Sequence, residues 1–386
     1  MVAVRGIVGL RPDPERVGRI VAPPYDVVAN GSPLERTLQD EPLSVYHVIL
    51  GGTPEGALRS LREAGALVDD GQPAMYVLEQ SWRGPQGDER RLGVLLAGEV
   101  SPYEAGLVRR HEKTFDHKVQ GRLALRRATE HTWGPVFLLS RAPLDDLLGA
   151  ACDGPPLYDF TMQAPGNDLD GVRHRVWRLA EGTGGYTAIA ERLGPEPLYI
   201  ADGHHRYHAA LLGGQRDFLA YVTSGARILA YDRLIRGTRS FREAMAELPL
   251  EPIERFETPP RHVFHLYSRE GTFRLAARHV PDDVVGRLDC AILERELYPA
   301  LGLDGSRIQD PAHFAYRPET DLDRMKEAVD RGDYDVAVAL HPVEVEQLMA
   351  VADAGLRDPD VVMPQKSTYF APKLPTGLAV LRHRMR

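Results

Sequence analysis

Cys152 and Cys290 are the only cysteines in 386 residues. Two thiols make neither a disulfide framework nor a zinc set, so thiol and structural-metal chemistry are set aside. No run nears the ~18 consecutive apolar residues of a membrane helix, and the opening MVAVRGIVGLRPDPER lacks the long apolar stretch of a secretion signal. We therefore expect a soluble, cytoplasmic protein with no membrane partner. Lysine is scarce: five of the 47 basic residues are lysine and 42 are arginine, a bias that genome composition accounts for. Basic residues fall short of the 55 acidic ones, giving a net charge of −8. That balance speaks against non-specific nucleic-acid binding, which rests on neutralising phosphates, and no nucleic-acid partner is expected. Several signatures are missing as well. The chain has no GxGxxG after a strand, no GxSxG elbow, no HRD or DFG and no CxxC, so dehydrogenase, hydrolase, protein-kinase and redox readings lose support.

What is present is an ordinary globular composition, 43% hydrophobic and 26% charged, in a chain long enough for two or three domains. Helical spacing predicts helices over 32–42, 53–67, 118–130, 185–193, 204–213 and 319–331, and one over 343–355 closed by Gly355. Strands are expected at 136–141, 172–180, 197–202, 219–224, 227–235 and 333–340, with hairpins over 74–100 and 262–278. Strands and helices mix without strict alternation, which points to an α+β fold. We expect a central catalytic core over 96–245, flanked by an N-terminal α+β segment 1–95 and a C-terminal α+β segment 246–386.

Four clusters carry candidate chemistry. The densest is Asp202-Gly203-His204-His205-Arg206-Tyr207-His208, which follows the apolar strand LYIA and opens a helical stretch. A strand–glycine–helix junction presents free backbone N–H groups and a helix dipole to an anion. Gly203 permits the tight turn, while His204, His205 and Arg206 add donors suited to phosphate. Asp202 is placed to orient a histidine, cap the helix or hold a metal, with Mg2+ on substrate phosphate the best fit to oxygen coordination. His204 and His208 are spaced as two ligands on one helix face, but the glutamate of the zinc-protease helix motif is absent. The second cluster runs from Arg109 through His111, Glu112, Lys113 and Thr114. Glu112 lies among positive charges that keep it ionised, as a general base for a hydroxyl requires; by itself the stretch reads equally as a charged loop before a helix. The third, MPQKSTYFAPK over 363–373, holds two of the five lysines. Lys366, Ser367 and Thr368 lack the glycines of a phosphate-cradling loop, but are placed to close over an anion. The fourth, Ala22-Pro23-Pro24-Tyr25-Asp26, is a rigid turn that presents Tyr25 and Asp26, or a plain proline corner.

Together, VAPPYDVV at 21–28, RRHEKT at 109–114, VRHRVWRL at 172–179, LYIADGHHRYHAA at 198–210 and MPQKSTYFAPKLPTG at 363–377 span nearly the whole chain. They resemble, in order, the motifs of a prokaryotic family known as domain-of-unknown-function family one-thousand-fifteen. The His-Glu and Asp-Gly-His-His-Arg pair also resembles the ParB/sulfiredoxin-like superfamily, which includes free-serine kinases. That resemblance implies a ParB/sulfiredoxin-like mixed-sheet core, Glu112 as base for a serine hydroxyl, and Asp202 to Arg206 as the binding site of the phosphoryl donor. His111, Thr114, Tyr25, Asp26 and Arg233 would face the substrate. Sulfinic-acid reduction is excluded, because His204 stands where the sulfiredoxin motif needs cysteine. One stretch departs from the family pattern: Tyr231-Asp232-Arg233 replaces a Thr-His-Arg-like sequence, and an inward Asp232 carboxylate would weaken an anion site.

The expected activity is transfer of a phosphoryl group from pyrophosphate, ADP or ATP to free L-serine or a related small molecule, with Mg2+. The alternative is a non-catalytic nucleotide- or phosphate-binding regulatory protein, which would have no use for Glu112.

Overall fold

The computed structural model describes residues 2–84, 87–114, 116–304, 307–308 and 310–383. They group into two units, one formed by residues 1–226 with 372–386 and the other by residues 227–371. The three sequence segments run otherwise: contacts group the N-terminal segment with most of the expected core, and the described residues from 372 to 383 return to it.

The first unit is built on a mixed sheet with strand order 108–109, 198–202, 136–140, 217–223, 87–99, 74–84, 173–180 and 158–161, and 4–5 paired beside 87–99. Pairs 108–109/198–202 and 136–140/217–223 run parallel; the other neighbours are antiparallel. Residues 74–80 and 91–98 are buried without a break. Strands covered on both faces read as continuous apolar runs rather than alternating ones, and AMYVL and LLAG do so. Helices Gly184–Leu193 and His204–Leu212 pack Ile189, Leu193, Tyr207 and Ala210 into the same core as Val77, Val94, Leu138 and Ile200. Gly93 is required there, since a Cβ on it would lie 2.2 Å from Cζ of the Tyr221 ring crossing over it. A second, antiparallel sheet orders 67–69, 9–12, 380–382 and 131–132, and so ties the C-terminal strand into this unit.

The expected hairpin over 74–100 forms from Ala74–Gly84 and Gly87–Glu99; its tip, 85–86, lies outside the described residues. The helix expected at 32–42 is observed at Pro33–Asp40, with Pro33 in its first turn and the Ser32 hydroxyl accepting the Glu35 N–H at 3.1 Å. No helix among the described residues is long and apolar enough to cross a membrane.

The second unit is an antiparallel sheet ordered 250–252, 271–276, 263–268, 336–340, 231–235 and 314–318. Helix Leu322–Asp330 packs Met325 and Val329 against Leu234 and Ala337. The helix expected over 343–355 is observed at Val345–Ala354, opened by a Glu344–Gln347 capping box and ending at Gly355. The single strand expected over 227–235 is divided: 228–229 pairs with 369–370, and 231–235 joins the larger sheet.

Candidate functional site

The site is assembled within the first unit by one parallel pairing. Leu198 and Tyr199 pair with Val108 and Arg109, so both strands end at the same edge of the sheet. The residues that follow each strand, His111-Glu112 and Asp202-Gly203-His204, therefore emerge side by side although about ninety positions apart. Ligand sites in open sheets gather beyond the carboxyl ends of strands for this reason.

Gly203 makes the turn from strand to helix with φ +98°, a left-handed conformation. A Cβ there would lie 2.8 Å from Nε of Arg206. Gly203→Ala is thus expected to lose about 1–3 kcal/mol of stability and to displace the Arg206 guanidinium. Chemical denaturation would give the first effect, and loss of anion affinity in calorimetry the second.

Arg206 donates from Nη2 to Asp202 Oδ2 and from Nη1 to the Pro135 carbonyl at 2.6 Å. On the other side of Asp202, Lys373 Nζ lies 3.7 Å from Oδ1. Lys373 is held by its own backbone: its N–H donates to Asp168 Oδ2 at 3.1 Å and its carbonyl accepts Gln80 Nε2 at 2.9 Å. The two cations hold the Asp202 carboxyl far below the usual carboxylate range, against the burial that alone would raise it. Asp202 is thus fully charged and already faces two positive groups. A protein carboxylate so placed does not fit as the ligand of Mg2+, and no step is routed through a metal at Asp202.

His204 is buried and faces Glu112, with Nδ1 3.5 Å from Oε2. Its Nε2 accepts the backbone N–H of His111 at 3.5 Å, and the two imidazole rings meet edge-on at 4.5 Å. Burial pushes both imidazoles down, His111 to about 4 and His204 well below its ordinary value. A neutral His204 that accepts at Nε2 carries its proton on Nδ1 and directs it at Glu112. Among the described residues, His111, Glu112 and His204 form the grouping whose ligand atoms could surround an ion, all within 4.8 Å of one another. This tautomer leaves Nδ1 no lone pair for a metal, so the trio reads as a carboxylate oriented by a histidine.

The neutral histidines have a consequence for stability. Between pH 6.5 and 4 the unfolded chain binds a proton at residue 111 that the folded chain refuses, so stability falls as pH falls through this window. From the distance between 6.5 and about 4, His111 accounts for about 3 kcal/mol of the loss. His174 and His383 are pushed down in the same direction, so His111→Gln is expected to flatten the acid limb only in part. Thermal melts across this range would test it.

Other sequence candidates fall as follows. Tyr25 and Asp26 open a single helical turn, Tyr25–Val27, with the guanidinium of Arg122 3.8 Å above the Tyr25 ring. Asp202 and Arg206 both act on the Tyr25 phenol, whose pKa burial raises, which puts Tyr25 beside the central cluster. Asp26 is exposed and Thr114 half-buried. His205 is half-buried in the first turn of the helix, while His208 stacks on Tyr103 at 6.0 Å and does not join His204. Lys366, Ser367, Thr368 and Arg233 belong to the second unit. There Lys366 stands over the Tyr231 ring at 5.8 Å, Ser367 donates to the Pro364 carbonyl, and Thr368 is half-buried. Arg233 is buried, donating to Tyr298 Oη at 3.4 Å and to the Tyr231 carbonyl. Asp232, next along the strand, points to the opposite face and accepts the Leu340 N–H at 3.1 Å. Burial pushes its carboxyl up to about 8.

Lys373 is the residue sequence reasoning passed over. The MPQKSTYFAPK stretch drew attention to Lys366, yet Lys373 is the lysine that reaches Asp202. The rarity of lysine was the available signal.

The fold is mixed α+β, with a large mixed sheet and a polar cluster at one strand edge. The chain belongs to the family described as protein of unknown function (DUF1015), whose model matches residues 4–291. Among curated proteins none matches. Among solved structures, the chain is similar to a free serine kinase variant in complex with ADP, at 12% identity and TM-score 0.40, covering 76% of this chain and 92% of that one. It is also similar to a conserved hypothetical protein from Pyrococcus furiosus, at 13% identity and TM-score 0.38 over 74% and 93% of the two chains. A C-terminally truncated SbnI from Staphylococcus aureus matches at 11% identity and TM-score 0.38, over 74% of this chain and 87% of that one.

Proposed function

We propose that this protein is a phosphotransferase acting on the hydroxyl of a small molecule, with free L-serine, the acceptor its motifs imply, as the first candidate. The observation that carries the reading is the pairing of an oriented carboxylate, Glu112 with His204 Nδ1 at 3.5 Å, with a cationic cradle of Arg206 and Lys373 around Asp202 at the same sheet edge. A protein that only bound phosphate would need the cradle and not the carboxylate. The ParB/sulfiredoxin-like assignment of the core belongs to the same proposal.

In this mechanism Glu112 takes the proton of the serine hydroxyl as its oxygen attacks the terminal phosphorus of pyrophosphate, ADP or ATP. A P–O bond forms to serine and the bridging P–O bond breaks, releasing phosphate from pyrophosphate, AMP from ADP or ADP from ATP. Arg206, Lys373 and the N–H groups at the head of helix His204–Leu212 offset the charge on the equatorial and leaving oxygens. Magnesium, entering on the donor's phosphate oxygens, is part of the substrate.

The test is phosphorus NMR of the protein with serine, homoserine or threonine against pyrophosphate, ADP and ATP in turn. A phosphomonoester signal that depends on the protein supports the reading. Silence with every pair, while ligand still binds, would shift the assignment to a regulatory phosphate binder.

A further inference from the structure

Three arginines converge on one cleft in the first unit, and the phosphotransfer step as drawn uses only one of them. The cleft is open to solvent on one side and is lined by Arg122, Arg126 and Arg206 with Tyr25, Leu125 and Trp133. Helix Asp116–Thr129 brings Arg122 and Arg126 one turn apart, on the face that packs on helix His204–Leu212. Arg206 has its two partners, Asp202 and the Pro135 carbonyl. Arg122 stands over the Tyr25 ring and feels the exposed Asp26.

Arg126 differs from both. It is 7% exposed, donates from Nη2 to the Arg206 carbonyl at 2.8 Å, and has a buried Nη1 with no hydrogen-bond partner. Among the described residues, the charges that act on it are those of Arg122 and Arg206. Burial first, then these two cations, push it down to about 9, which still leaves it charged at neutral pH. A buried cation among cations is an arrangement that a ligand of opposite charge would relieve.

We propose that this cleft binds a phosphate or pyrophosphate group, gripped by Arg126 together with Arg122 and Arg206. Guanidinium forks match phosphate oxygens bidentately, and three of them suit a group with more than one negative charge better than a carboxylate. The inference deepens the phosphotransfer reading by naming what the pocket beside Asp202 holds. It rests on that reading for no step, because binding is measured without turnover.

Calorimetric titration of the full chain with inorganic pyrophosphate, orthophosphate and acetate tests it. Pyrophosphate is expected to bind more tightly than acetate, and Arg126→Met to weaken pyrophosphate by about tenfold or more, since charge-assisted bonds are lost. Unchanged pyrophosphate affinity in Arg126→Met would overturn the proposal. So would acetate binding as tightly as pyrophosphate, or no binding of pyrophosphate to the unaltered chain. Should Arg126→Met fail to fold, Arg122→Gln, at a half-exposed position, decides by the same criterion. Glu112→Gln keeps the two ideas apart. Pyrophosphate bound through Arg126 in a protein that makes no phosphomonoester would leave this proposal standing and the phosphotransfer reading fallen.

Discussion

Glu112→Gln is expected to lower phosphate transfer to serine by about 10²–10⁴-fold, the usual contribution of a positioned general base. Glutamine keeps the size and the acceptor oxygen that faces His204 Nδ1, now at 3.5 Å from the carboxylate, but cannot take a proton from the substrate. The folded structure should therefore survive, with its melting temperature near that of the unaltered chain. Affinity for pyrophosphate should also persist, since the anion contacts proposed above come from Arg122, Arg126, Arg206 and the Gly203 turn. Single-turnover phosphorus NMR and thermal melting on the same preparation would separate the two effects. A variant that transfers phosphate as fast as the unaltered chain would remove Glu112 from the reaction.

Arg206→Met should cost the most stability, about 2–4 kcal/mol by urea unfolding. The substitution removes the donor to Asp202 and the one to the Pro135 carbonyl in a side chain that is almost wholly buried. It leaves the Asp202 carboxylate with Lys373 as its remaining cation at 3.7 Å. Most of the penalty comes from the stranded anion rather than from the lost attraction. Adding Asp202→Asn to Arg206→Met should accordingly recover part of the loss, and the double-mutant cycle would measure how much. Arg206→Lys should not rescue, because an ammonium cannot reach Pro135 and Asp202 at once with a planar fork.

Much of this protein was readable along the chain. The Asp202-Gly203-His204 turn announced itself, because an apolar strand running into a glycine and then a polar helix start is a local pattern, set by short-range sterics and by unpaired N–H groups. The helices at 33–40 and 345–354 were equally local, fixed by a Ser32 cap and by a Glu344–Gln347 box. The family motifs, from VAPPYDVV to QKSTYF, carried the assignment that the match over 4–291 bears out.

What the chain alone left open depends on contacts between distant segments. Glu112 by itself was a charged residue in a loop; the parallel pairing of 108–109 with 198–202 is what sets it beside His204. Lys373 gained its place at Asp202 because the last strand, 380–382, pairs with 9–10 and 131–132 and draws residues 372–386 into the first unit. Arg126 looked like one arginine among 42, on an expected helix with no role. Only when that helix packs against 204–212 do three guanidiniums share one cleft. Backbone conformation and capping act over a few residues, so sequence determined the Gly203 turn, the ends of several helices and the longest strands. Charge clusters and strand neighbours act through space between residues far apart in the chain, and for those the tertiary structure decided.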